Sequence, residues 1–175
     1  MYRPFFDAIA NPSVSENEPV QFTVNAKTVA AGITLAYSAD QLPAGAIFDS
    51  AAHTFSWTPD YRQAGTYTVR FIVDDGVIPE PKEVVITVAD VPSSQLIDTL
   101  SVYLAAIGLP QGAENSLTSK LDNARKSWGR RDTASAIIQI SSFIDEVSAQ
   151  SGKKIPSVQA AEMIRQANLI LYSMG

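Results

Sequence analysis

Ala89-Asp90-Val91-Pro92-Ser93-Ser94 separates two kinds of apolar spacing. From Val20 to Val88 hydrophobic residues recur at every second position, whereas from Leu96 to Leu171 they recur at helical spacing. Pro92 cannot donate to a sheet ladder, and Ser93 or Ser94 can cap a following helix, so a physical mechanism accompanies the change of pattern. The chain of 175 residues therefore reads as two domains, 1–91 and 92–175.

Working upstream, Val20, Phe22 and Val24 alternate with Gln21 and Thr23, and Tyr67, Val69, Phe71 and Val73 alternate with Thr68, Arg70 and Ile72. Each run has the pattern of a half-buried strand. Further strands are expected over Phe5–Ile9, Ile33–Ser38, Ala46–Asp49, Thr54–Thr58 and Val84–Val88, divided by turns such as Leu42-Pro43-Ala44-Gly45 and Asp74-Asp75-Gly76. About seven strands suit an immunoglobulin-like β-sandwich. Working downstream, helices are expected over Ser94–Ile107, Asn115–Trp128, Asp132–Ser151 and Ser157–Ser173. Their apolar stripes are Leu117, Leu121, Ala124 and Trp128, then Ile137, Ile140, Ile144 and Val147, and finally Ala161, Ile164 and Ala167. Short connections favour antiparallel neighbours and a four-helix bundle. The expected fold class is thus multidomain, β plus α.

Composition narrows the chemistry. With no cysteine and one histidine, His53, the chain lacks thiolate nucleophiles, Cys/His zinc sites and disulfides. Up to Val91 there are 11 acidic and 5 basic residues, and from Pro92 onward 7 and 8. An acidic first half argues against nucleic acid as a partner. The longest uncharged stretch, Thr99 to Ala113, is broken by Gly108, Pro110 and Gly112 and is shorter than the ~20 apolar residues of a membrane span. Met1-Tyr2-Arg3-Pro4 leads into a strand-like segment without a signal peptide, so the expectation is a piece of a longer exported protein.

Leu42-Pro43-Ala44-Gly45-Ala46-Ile47-Phe48-Asp49, Phe55-Ser56-Trp57-Thr58-Pro59 and Gln63-Ala64-Gly65-Thr66-Tyr67 resemble, in order and spacing, the putative-immunoglobulin (He-PIG) repeat, a cadherin-like module of bacterial and archaeal surface proteins. The likeness covers roughly Pro4 to Ala89. It implies an extracellular sandwich used as a spacer or adhesion unit. Asn115-Ser116-Leu117, Lys120-Leu121, Ala124, Phe143-Ile144, Val147, Gly152-Lys153-Lys154-Ile155, Gln159-Ala160 and Ala167-Asn168 resemble the FIMAH-type helical domain found at the C-termini of exported bacterial proteins. Independently of family, Trp57 is large enough to fill the space between two sheets, and Gly65-Thr66-Tyr67 resembles a tyrosine corner.

Each candidate site has a plain structural reading beside it. Cadherin-like repeats often hold calcium, for which Glu16, Glu18, Asp74 and Asp75 are the candidate ligands. The loop that would complete six to eight oxygens, Asn25–Gly32, carries a lysine and no carboxylate. The plain reading is four solvated loop carboxylates, with Asp74-Asp75-Gly76 a turn. His53 reads as an exposed loop histidine, since no nucleophile elbow accompanies it. Asp145-Glu146, the only adjacent acidic pair outside the turns, points in two directions on a helix and reads as a solvated face. Arg130-Arg131 and Lys153-Lys154 suggest an anionic partner, but about 30 Å of helix separates them. Lys153 and Lys154 also suit a helix C-terminus. Trp128 closes an apolar stripe and reads as core, with a sugar platform as the alternative. Asn168 fits either a buried or an exposed position.

The functional expectation is a non-catalytic, extracellular or cell-surface structural or adhesion module of a larger exported prokaryotic protein, with no catalytic residue and no cofactor. Its partners would be other domains of the parent protein, a cell-surface protein or a glycan. The alternative is an accessory carbohydrate-binding module of a secreted enzyme, recognising ligand through exposed aromatics such as Tyr2, Phe5 or Tyr61.

Overall fold

The computed structural model describes residues 3–29 and 32–175. Tyr2, and Ala30 and Ala31 of the Asn25–Gly32 loop, lie outside the described residues. The chain divides into two compact units, Met1–Asp90 and Val91–Gly175, which puts Val91 in the second unit rather than the first. No helix is long and apolar enough to cross a membrane among the described residues.

The first unit is an Ig/cadherin-like β-sandwich of nine strands among the described residues: β1 (Phe5–Phe6), β2 (Ser13–Ser15), β3 (Val20–Thr23), β4 (Ala26–Lys27), β5 (Ala36–Asp40), β6 (Ile47–Asp49), β7 (Thr54–Trp57), β8 (Gly65–Asp74) and β9 (Glu80–Ala89). One sheet has the order β2-β9-β8-β5, the other β3-β7-β6, and β1 pairs with β4. The long β8–β9 hairpin carries the alternation seen in the sequence. Val69, Phe71 and Val73 of β8 and Val84, Ile86 and Val88 of β9 are all buried. Phe55 and Trp57 of β7 join the core from the other sheet. Phe71 meets the rings of Phe22, Phe48 and Phe55 edge-on at 5.2–6.0 Å between centroids.

Nine strands replace the expected seven. Ser13–Ser15 has one apolar residue and Ala26–Lys27 only two residues, too short for a period-two signal, so β2 and β4 were invisible to periodicity. The expected Phe5–Ile9 strand is cut to Phe5–Phe6, although Ile9 still packs against the core. The Ile33–Ser38 strand starts later, at Ala36, and Ile33 is exposed.

The second unit is a bundle of four helices, α1 (Ser93–Ile107), α2 (Gln111–Gly129), α3 (Thr133–Gln150) and α4 (Ser157–Met174). Each packs against its neighbours in the order α1-α2-α3-α4, and α4 returns to α1. Pro92, Pro110 and Pro156 sit at the N-caps of α1, α2 and α4, none with a capping side chain. The expected serine cap of α1 is therefore corrected: Ser93 is buried, with its Oγ 2.9 Å from Ser173 Oγ. Helix α2 begins four residues earlier than read from the sequence, because Pro110 starts the helix and Gly112 is tolerated in its first turn. Helix α4 buries Ala160, Met163, Ala167 and Ile170, so the expected stripe was one residue out at Ala161, which is exposed. Asn168 is exposed as well.

Between α2 and α3, Glu146 accepts hydrogen bonds from Ser116 Oγ at 2.8 Å and from Lys120 Nζ at 2.5 Å. The Lys120 and Glu146 side chains are only 25% and 22% exposed, so Glu146 is not the solvated residue expected of the Asp145-Glu146 pair. Burial alone would raise its carboxyl, but the Lys120 and Ser116 bonds outweigh burial and hold it below the ordinary 4.5. A depressed folded value means that the stabilisation is complete above pH 4.5 and disappears as pH falls through the lower folded value. Glu146→Gln is expected to cost about 1–2 kcal/mol at neutral pH. Thermal melts of variant and parent should converge in acid; a constant gap at all pH values would show that the ion pair is not the cause.

Candidate functional site

The four calcium candidates fall at two ends of the sandwich. Gly65, at the start of β8, pairs with Val88 beside the Glu16 loop, where Glu16 N–H donates to Ala89 O at 3.0 Å. Asp74 closes the same ten-residue strand, about 30 Å away at ~3.3 Å per residue. One ion cannot be shared by both pairs. Glu16 is buried, 3% exposed, and its Oε1 accepts from Ala64 N–H at 2.9 Å. Glu18 accepts from Ser15 N–H, Asp74 from Gly76 N–H, and Asp75 from Val77 and Ile78 N–H. Among the described residues, no group of three or more histidine or acidic side chains is placed to hold a metal ion. Glu18, Asp74 and Asp75 fasten turns, and Glu16 ties its loop to Ala64.

His53 is half-buried rather than exposed, with a left-handed backbone (φ 54°) and its ring stacked on Tyr37 at 3.7 Å. Trp57 lies in the core, donates Nε1–H to Ala44 O at 3.1 Å and meets Tyr67 edge-on. Tyr67 donates its hydroxyl to Gln63 O at 3.1 Å, the tyrosine-corner contact expected of Gly65-Thr66-Tyr67. Of the expected ligand-facing aromatics, Phe5 is exposed on the two-residue β1 ladder and Tyr61 is half-buried in the turn before β8. Lys153 donates from Nζ to Ala149 O in the last turn of α3, the helix-terminal role read from the sequence.

A concave site lies in the helical unit. The start of α1, the end of α2 and the start of α3 enclose a cleft of about 530 Å³ lined by Ser94, Arg125, Trp128, Gly129, Arg131 and Thr133. The volume is within the ~300–1,000 Å³ of small-molecule sites. Trp128 ends the Leu117-Leu121-Ala124 stripe but is only half-buried: part of the indole packs on the bundle core and part lines the cleft. Arg131 is set by a tight turn in which its own N–H donates to Trp128 O and Asp132 N–H donates to Ser127 O, both at 2.9 Å. Asp132 then caps α3 by accepting from Ser135 N–H at 3.0 Å, and the Ser135 hydroxyl and N–H hold its carboxyl below the usual range. Arg125, one turn before Trp128 on α2, has its Nη1 2.9 Å from Asp98 Oδ1.

Among the described residues, the side chains of Ser94, Trp128, Arg131 and Thr133 make no hydrogen bond or ion pair within the protein, and none of their polar atoms is buried. One cleft therefore presents two hydroxyls, an indole N–H and a guanidinium to solvent. Trp57, with its N–H bonded internally, is the opposite case. Residues 125–132 carry four cations and one anion, so this segment is cationic in a unit whose remaining residues carry 4 basic and 6 acidic side chains. Arg130-Arg131 and Trp128 were legible as candidates; Ser94 was not, because only packing brings the start of α1 to the α2–α3 turn, and Thr133, two residues after Arg131, read only as part of a helix start.

Residues 3–89 match the family model described as Putative Ig domain. No curated protein matches the chain. Among solved structures, the chain is similar to a putative alpha-galactosidase of Bacteroides fragilis (16% identity, 60% of this chain and 25% of that one, TM-score 0.41). Human Protocadherin-24 EC1-2 is similar at 19% identity, over 50% of this chain and 45% of that one, with TM-score 0.41. A SusE-like surface-located polysaccharide-binding protein of Bacteroides thetaiotaomicron is similar at 16% identity, over 49% of this chain and 16% of that one, with TM-score 0.37. The chain spans a quarter of the length of the first of these.

Proposed function

We propose that this chain, whose residues 3–89 match the Putative Ig domain family, is a non-catalytic structural and adhesive module of a larger exported prokaryotic protein, outside the cell or on its surface. The observation that carries the reading is the parallel pairing of the first long-sheet strand with the last. Strand β2 runs beside β9 in the register Ser13↔Thr87, Val14↔Val88 and Ser15↔Ala89. Tension along the chain draws these two strands apart lengthwise, which loads the ladder bonds together instead of one at a time. The flanking bonds from Thr87 N–H to Pro12 O, from Glu16 N–H to Ala89 O and from Val85 N–H to Asn11 Oδ1 share that load. The buried Glu16–Ala64 tie holds the same end. Such a clamp suits a spacer that keeps its fold under pull. Neighbouring domains of the parent protein and a surface protein or glycan are its expected partners, with the FIMAH-type helical unit as the part that docks.

Single-molecule extension of the chain tests this. The sandwich should yield at higher force than the helical unit, and its rupture force should be the same in calcium as in chelator. Glu16 N–H points at β9, so by period two Val14 N–H does also, and Val14→Pro should lower the rupture force by removing a ladder donor. A sandwich that opens at or below the force of the helical unit, or is unaffected by Val14→Pro, would remove the mechanical basis of the reading.

A further inference from the structure

We propose that the cleft of the helical unit binds an acidic saccharide, one or two rings of which lie against Trp128 while their carboxylate or sulfate meets Arg131. The proposal goes beyond the mechanical role and rests on no property of the sandwich. Three features of the cleft select this chemistry together. The indole offers an apolar surface that needs no particular substituent pattern, and its base is fixed by the bundle core, so it is ordered before any ligand arrives. Arg131 is a guanidinium with no carboxylate partner among the described residues, held by a hydrogen-bonded turn, and its planar fork matches a carboxylate or sulfate. Ser94 and Thr133 hydroxyls and the Trp128 N–H supply donors and acceptors for ring hydroxyls in the same concavity. Arg125 also lines the cleft but is paired with Asp98, so Arg131 is the cleft's guanidinium without a carboxylate among the described residues.

A single-stranded nucleic acid also takes aromatic rings and arginines, but it needs a cationic groove that tracks several nucleotides. Here the basic cluster is Arg125, Lys126, Arg130 and Arg131 alone, in a unit with 8 basic and 7 acidic residues. An acidic peptide would engage Arg131 but leave the indole face and the hydroxyl pair without matched groups.

Gly129 allows a test that does not disturb the fold. A Cβ added there meets no atom within 4 Å, its backbone is not left-handed, and it lines the cleft, so Gly129→Leu obstructs the space without strain. The chain contains two tryptophans, hence two indole N–H resonances, of which only that of Trp128 faces the cleft. The full chain would be titrated with trigalacturonate, which supplies carboxylates, and with a sulfated heparin disaccharide. Maltotriose, sodium sulfate, hexathymidylate and hexaglutamate serve as controls. The Trp128 indole resonance should move and that of Trp57 should not, with maltotriose at least ~10-fold weaker than the better acidic sugar. Arg131→Gln should weaken binding ~10-fold or more and Gly129→Leu should abolish it, both with unchanged melting temperatures. The two acidic sugars decide between carboxylate and sulfate. Absence of any shift up to about 10 mM of either acidic sugar would overturn the proposal. So would equal binding of maltotriose, variants that bind like the parent, sodium sulfate alone reproducing the shift at equal concentration, or tighter binding of the oligonucleotide or peptide. None of these outcomes bears on the pulling experiment, which reads the sandwich.

Discussion

Trp57→Ala should lower the stability of the sandwich by about 3–5 kcal/mol, the range for removing a buried aromatic ring from a close-packed core. Three contributions are lost at once. The ring is 3% exposed, its N–H is bonded to Ala44 O in the Leu42–Gly45 turn, and its edge contact with Tyr67 links β7 to the tyrosine corner. For a unit of this size each kcal/mol corresponds to about 4–8 °C in melting temperature, so the transition should fall by ~12–40 °C. Trp57→Phe keeps most of the apolar surface and loses the hydrogen bond, which leaves the Ala44 carbonyl without that donor. Its cost should be nearer 1–2 kcal/mol. Melting followed by near-ultraviolet circular dichroism gives both values. A loss below about 1 kcal/mol for the alanine variant would mean that Trp57 does not fill the inter-sheet space.

Phe143→Ala should cost a similar ~3–5 kcal/mol, but in the helical unit alone. Phe143 is fully buried among Leu117, Leu121, Ile140, Val147 and Met163, and that cluster shares no residue with the cluster around Phe55 and Phe71. The natural placement of one tryptophan in each unit makes the two transitions separable. The unfolding signal of Trp128 should move to lower denaturant while that of Trp57 stays where it was, and the far-ultraviolet helical signal should follow Trp128. Equal displacement of both signals would show that the chain unfolds as one cooperative body, contrary to two separate cores.

How much of this was legible beforehand depends on how local the determining interactions are. Val69, Phe71, Val84 and Ile86 announced themselves because alternation on a strand is a property of neighbouring residues. The four helices were found for the same reason, with errors at their ends. Pro110 precedes α2, whose start was read four residues late, and a proline at a helix start looks in sequence much like a proline in a loop, whereas the start of α4 after Pro156 was read correctly. The one-residue error in the α4 stripe came from Ala160-Ala161, two equal side chains of which only packing against the other helices selects one.

The sites were less legible. Glu16, a calcium candidate through the cadherin-like resemblance, is a buried acceptor for the backbone of Ala64, 48 residues away. Glu146, apparently solvated, lies between two helices with Lys120 and Ser116. Trp128 could be assigned to the core or to a ligand surface, and the structure divides the same ring between both.

From the order of its amino acids alone, this protein is committed to a strand-rich unit and a helix-rich unit with a change of period near Pro92, because backbone periodicity and turn chemistry act over a few residues. The partnership of β2 with β9, the internal use of Glu16 and the meeting of Ser94, Trp128, Arg131 and Thr133 around one cleft were decided only when the elements packed. Those arrangements join residues tens of positions apart, whose proximity is set by the shapes of whole side-chain layers and leaves no short-range pattern in the chain.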